Sequence, residues 1–204
     1  MALKTFVKVG NISNLSDARY CAGMGVDLLG FCLDPTSKTH LTTESYKEIV
    51  GWISGPQLVG EFDTHDAGFI LNAQEELKCD FIQVDDLPLA NSLSHDNKVI
   101  LKISLHLLAD DTSLTGLLSD VDDNIEFLLL ESDTPVDSKL QGEIEEICKV
   151  YPVLKGFDLE PASVLADISM EYKGIAMKGS EELKAGFKDY DELADILEVL
   201  ELDN

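Results

Sequence analysis

The sequence predicts an α/β protein, a small single-domain (β/α)8 or TIM barrel spanning residues 1–204. Three observations carry this. Short β-rich runs alternate with amphipathic helical stretches eight times over. Several of those runs are continuously apolar, as in Val99-Ile100-Leu101 and Phe127-Leu128-Leu129-Leu130, the mark of strands buried on both faces of a parallel sheet. No Gly-, Ser- or Pro-rich linker or low-complexity tract divides the chain. About 200 residues is the lower limit for such a barrel. The competing arrangement is an open doubly wound sheet, but Gly10-Asn11-Ile12-Ser13 after the first strand is no dinucleotide fingerprint.

The elements follow in order. A strand over Leu3–Val9 leads into a helix over Asn14–Met24, opened by an Asn cap and ended by Gly25. The strand Asp27–Leu33 precedes a helix over Thr42–Ile53, whose start Thr42-Thr43-Glu44-Ser45 supplies a cap and an acidic first turn. Strand Gln57–Phe62 and helix Asp66–Leu77 come next, then strand Asp80–Val84 and a weaker helix at Asp86–Leu93 that carries Pro88. The second half pairs strand Lys98–Ser104 with helix Ser113–Val121, and Ile125–Glu131 with Ser138–Val150. It closes with Val153–Gly156 and a helix over Pro161–Met170, opened by a proline whose missing N–H costs nothing there, then Gly174–Lys178 and Tyr190–Leu200.

Composition narrows the function. Fifteen Lys plus Arg against 39 Asp plus Glu give a net charge of −24. Nucleic acids and anionic membranes are therefore not expected partners, because both require a basic footprint. The apolar runs are far shorter than the roughly 20 residues of a membrane span, and the first eight residues hold no long apolar segment of a secretory signal. Cys21, Cys32, Cys79 and Cys148 are scattered, with neither CxxC nor His at ligand spacing, so no metal, no cofactor and a reducing, cytoplasmic location are expected.

In a barrel, chemistry sits where strands end and the following loops begin. Lys8, Lys102, Lys155 and Lys178 all fall in or at the ends of strands. They form either a ring of ammoniums at the mouth or a set of ion pairs with carboxylates such as Glu61, Asp85 and Glu131. Asp85-Asp86 are paired acids or solvated loop acids, and the loop histidines His40, His65 and His106 are exposed residues rather than ligands.

The run Lys8-Val9-Gly10-Asn11-Ile12-Ser13-Asn14-Leu15-Ser16-Asp17-Ala18 resembles the opening of phosphoribosylanthranilate isomerase, a small (β/α)8 barrel of tryptophan biosynthesis. Gly23, Gly25, Asp27, Gly30, Phe31 and Pro35 fit that family's next segment. Val59-Gly60-Glu61-Phe62 and Phe81-Ile82-Gln83-Val84 fit its third and fourth strands, and weaker similarity runs to Lys188-Asp189-Tyr190. The resemblance implies an Amadori rearrangement of an aminoaldose phosphate, in which a base removes the C2 proton and an acid protonates the ring oxygen.

Set against that pattern, the base position, a cysteine in the family, is Gly10, and the glycine after it is Asn11. The acid position is filled by Glu131 in place of an aspartate. Cys32, closing the second strand, is a substitute base or a buried hydrophobe. The arginine that meets the anthranilate in the family is Thr39 here; Arg19 is the chain's only arginine, so Lys38 is the remaining cation of that loop. The family's phosphate loops reduce to Lys155, Gly156 and then Lys178, Gly179 and Ser180. Gln83, at the end of the fourth strand, completes the expected ligand-binding set.

The resemblance thus implies a divergent barrel without the standard isomerase activity, binding a phosphate, sugar phosphate or other small anion at its mouth, as monomer or homodimer. An active isomerase with altered catalytic groups and a non-catalytic interaction protein are the alternatives.

Overall fold

A computed structural model of the protein describes residues 2–63, 66–108, 113–168, 171–179, 182–184, 187–188 and 191–202. Eight strands run β1 (Phe6–Gly10), β2 (Leu28–Cys32), β3 (Gln57–Glu61), β4 (Phe81–Val84), β5 (Lys98–Ser104), β6 (Ile125–Glu131), β7 (Val153–Gly156) and β8 (Gly174–Lys178). They close in sequence order into one parallel barrel, with β8 returning to β1 in the register Val7 to Ile175 and Val9 to Met177.

The helices between them are α1 (Leu15–Met24), α2 (Thr43–Val50), α3 (Ala67–Leu77), α4 (Leu87–Ser94), α5 (Leu114–Leu117), α6 (Ser138–Cys148), α7 (Val164–Asp167) and α8 (Asp191–Leu200). Local chemistry starts most of them. The side chains of Asn14, Thr42, Asp66, Asp86, Ser113 and Asp137 each accept a hydrogen bond from an N–H in the first helical turn, satisfying a donor the helix itself cannot. Gly25 ends α1 at φ 82°, a left-handed conformation a side chain would resist. Buried Leu193, Ile196, Leu197 and Leu200 form one stripe of α8 against the barrel.

Two apolar layers result. The outer one lies between strands and helices. The inner one fills the barrel with Leu28, Val59, Phe81, Ile100, Phe127, Leu129, Leu154 and Ala176, with Phe6 against it; the Phe6 and Phe127 ring centroids are 5.2 Å apart. Because side chains alternate along a strand, the residues two positions beyond these point inward one layer higher, at the carboxyl end. There Lys8, Glu61, Gln83, Lys102 and Glu131 replace apolar side chains, and the packed core becomes a polar mouth.

The last four strands match their expected bounds, and the others differ at their ends. The first starts at Phe6 rather than Leu3. Leu3 instead bridges Glu201, while the Lys4 N–H donates to the Leu200 carbonyl at 2.8 Å, so the start of the chain is tied to the end of α8. Pro161 does not open a helix. Glu160 to Ser163 form a turn, with the Ser163 N–H on the Glu160 carbonyl at 3.0 Å, and α7 is a short segment beyond it. The helix expected over Ser113–Val121 is the single turn α5 followed by a 3-10 turn at Leu118–Asp120. The weaker helix is real: α4 carries Pro88 in its first turn, where no N–H is needed. A short antiparallel pair, β9 (Glu182–Lys184) and β10 (Phe187–Lys188), follows β8 and has no counterpart in the sequence reading. Among the described residues no helix is long and apolar enough to cross a membrane.

Candidate functional site at the barrel mouth

The carboxyl ends of the strands enclose a cavity of about 280 Å³, at the small end of ligand pockets, which run to about 1,000 Å³. Its floor is an ion pair. Lys8, 2 % exposed, places Nζ 2.5 Å from Oε1 of Glu61, which is 13 % exposed. The Asn11 N–H donates to the other oxygen, Oε2, at 2.9 Å. Asn11 reaches it from φ 53°, a left-handed conformation rare for a residue with a side chain.

Gly10 and Gly30 leave the space that Glu61 fills. A Cβ on Gly10 would stand 2.5 Å from Glu61 Oε1 and 2.8 Å from Lys8 Nζ, and one on Gly30 would overlap the same carboxylate more deeply. The space over Gly10 is therefore not a void. A carboxylate from two strands away lies across it.

A second pair stands on β6 and β8. Lys178, 61 % exposed, lies 3.3 Å from Glu131 Oε2. Lys102 on β5 is 3.4 Å from Asp63 and 3.9 Å from Asp85. Burial pulls the Lys102 ammonium's pKa down, but Asp63, Asp85 and Glu131 outweigh it and hold it above the ordinary lysine range. Asp34, fully buried, accepts the Thr36 N–H and hydroxyl at 2.8 and 2.7 Å and the Asp63 N–H at 3.0 Å, fastening the loop after β2 to the end of β3. Gln83 on β4 is 6 % exposed, lines the cavity, and leaves Oε1 with no partner among the described residues.

Gly10, Asn11, Cys32, Gln83, Glu131 and Lys178 of the sequence-predicted set line one cavity. Gly156 ends β7, and a Cβ there would stand 2.9 Å from the Leu130 carbonyl oxygen. The Gly179 N–H is already used, donating to the Gly10 carbonyl at 2.7 Å. Lys155 is not at the mouth. It alternates with inward-facing Leu154, so its ammonium points out of the barrel to Asp167 at 2.7 Å and over the Phe157 ring. Lys38 is exposed and does not line the cavity, whereas Thr39 does. Ser180 and His65 lie outside the described residues. All four strand lysines are paired, so the ring of ammoniums is a set of ion pairs.

Glu61 was legible only as a carboxylate able to neutralise a strand lysine, and Asp63 only as a residue of the loop after the third strand. The signal was present in β3: Val59 and Glu61 share one face, so an apolar residue inside the barrel implies a carboxylate at its mouth. Among the described residues no group of three or more His, Cys, Asp or Glu side chains is placed to hold a metal ion.

A closed parallel barrel with its polar side chains gathered at the carboxyl ends of the strands is the architecture of the (β/α)8 proteins, which carry their chemistry at that end. Within that class, the fold of this chain is that of phosphoribosylanthranilate isomerase. The isomerase of Thermus thermophilus matches 96 % of this chain and 98 % of its own, with TM-score 0.75 and 18 % identity. That of Thermotoga maritima matches the same shares, with TM-score 0.75 and 20 % identity. A phosphoribosylanthranilate isomerase in complex with reduced 1-(o-carboxyphenylamino)-1-deoxyribulose 5-phosphate matches equally, with TM-score 0.75 and 19 % identity. No family model and no curated protein sequence matches the chain.

Proposed function

We propose that this chain is a phosphoribosylanthranilate isomerase-like barrel that binds a small phosphorylated or otherwise anionic metabolite at its mouth and does not run the Amadori rearrangement with a thiol base. One observation carries the reading: the mouth is an open polar cavity, but Glu61 lies over Gly10, where the family's catalytic thiol would stand. Cys32 lines the cavity but is only 7 % exposed, which suits a buried hydrophobe better than a substitute base. The anion would be met by Lys178, the most exposed of the three, and by Lys102. The sugar phosphate held by one of the similar isomerases supports that ligand class. The four free cysteines suit a reducing, cytoplasmic setting.

The test is a thermal-shift titration with millimolar inorganic phosphate and ribose 5-phosphate, alongside turnover of phosphoribosylanthranilate followed by its fluorescence. The expected result is a rise in melting temperature that Lys178→Ala reduces, with no turnover. Absence of any shift overturns the binding half of the reading; turnover by the parent overturns the catalytic half.

A further inference from the structure

We propose that a second cavity, outside the barrel wall and beside the mouth, binds a small primary amine with an apolar body, its ammonium toward Asp85 and Asp86 and its body along β5. The site is separate from the anion-binding mouth and does not depend on it. Its origin is a short helix. Leu101 and Ile103 alternate along β5 with inward-facing Ile100 and Lys102, so they face outward, where the following helix should cover them. That helix, α5, is the single turn Leu114–Leu117, and it leaves a cavity between itself, β5 and the start of α4. The cavity measures about 370 Å³, larger than the mouth and within the range of small-molecule pockets.

Its lining is mostly aliphatic. Leu101, Ile103 and Leu118 are its buried part, while Leu107 and Leu117 are 75 % and 36 % exposed. An apolar body seated there takes out of water side chains that the fold itself leaves exposed.

The polar part of the lining selects the charge. It consists of Asp85 and Asp86 after β4, with Lys102 and Ser104 from β5. Lys102 lines both cavities, and its ammonium is shared between them, 3.4 Å from Asp63 of the mouth and 3.9 Å from Asp85. Two carboxylates, and one cation already claimed in part by the mouth, give this wall a net negative charge. The field is felt at Lys102 itself: burial acts to loosen its proton, yet Asp63, Asp85 and Glu131 hold it more tightly than water would. The start of α4 offers an anion little, because the Asp86 side chain takes the Leu89 N–H at 2.8 Å and Pro88 has none. A cation is the charge that complements the wall, and an ammonium with a chain or ring behind it matches both parts of the lining.

The experiment titrates the full chain, methyl-labelled at Leu, Ile and Met, with n-hexylamine, n-hexanol and hexanoate at neutral pH, and reads affinities from methyl NMR shifts. The amine is expected to move the methyl signals of Leu101, Ile103, Leu107 and Leu117 at millimolar concentration. It should bind about 10-fold more tightly than n-hexanol, which has the same chain without the charge, and hexanoate should bind most weakly. Asp85→Asn, at an exposed position, should cut that preference about 3-fold and leave n-hexanol unchanged. Equal affinity for amine and alcohol, or a preference that Asp85→Asn leaves intact, overturns the charge assignment and the proposal with it. Shifts at Met177 of the mouth in place of the β5 methyls, or no shift with any of the three probes, overturn the site itself.

Discussion

Removing the Lys8 ammonium tests the floor of the mouth most directly. In Lys8→Met the side chain keeps its length and loses its charge. Glu61 is then left 13 % exposed with a single described donor, the Asn11 N–H. Breaking a buried pair by deleting one partner costs about 3–5 kcal/mol, because the remaining charge is uncompensated. A chain of this size loses about 2–4 °C of melting temperature per kcal/mol, so the expected fall is roughly 6–20 °C. Lys8→Met/Glu61→Met removes both charges and fills the space with apolar side chains. It is expected to melt at or above the parent temperature, since an apolar replacement of a whole buried pair is often neutral or stabilising. The assay is thermal and urea unfolding followed by circular dichroism for the parent, both single variants and the double, with the coupling taken from the cycle. A loss below about 1 kcal/mol in Lys8→Met would refute the argument, because the pair would then be as weakly coupled as one on the surface.

Two further outcomes follow from the same geometry. Gly10→Cys places a Cβ 2.5 Å from Glu61 Oε1 and 2.8 Å from Lys8 Nζ, so the pair must move. Overpacking of this kind costs about 1–3 kcal/mol, read from the urea midpoint, and the introduced thiol is expected to confer no turnover of phosphoribosylanthranilate. The native thiols are the second case. Burial first, and Asp17 next, push the Cys21 thiol up to about 12; burial, with Glu171 and Glu145, pushes Cys148 up to about 11. A raised thiol pKa lowers the thiolate fraction at any pH below it, so iodoacetamide at pH 8 should label the folded protein far more slowly than the urea-unfolded chain. Half-buried Cys148 should react before buried Cys21, by mass spectrometry of peptides; rapid labelling of Cys21 in the folded state would contradict this burial.

The barrel was legible in the chain because most of its elements are specified locally. The apolar run Phe127–Leu130 reads as a strand covered on both sides, and Asn14, Thr42, Asp66, Asp86 and Asp137 cap the helices they precede. Glu131 and Gly10 could be placed at the mouth for the same reason: a strand end is a position in sequence as well as in space. The turn at Glu160–Ser163 and the clasp of Leu3 on Glu201 were not legible, since they depend on hydrogen bonds between segments rather than on residue pattern.

The site divides along the same line. Its lysines and carboxylates are plain in the sequence, but their partners are not. Barrel closure brings Lys8 of β1 against Glu61 of β3 across a separation of 53 residues, and over two glycines whose absent side chains leave the room. It also turns Lys155 away to Asp167 while Lys178 meets Glu131. What the sequence by itself determined was the barrel and the inventory of charged groups at its mouth, because propensity, capping and alternation act within a few residues. Which charge faces which was decided only by the tertiary structure, because Coulomb and steric terms depend on distances that strand register sets.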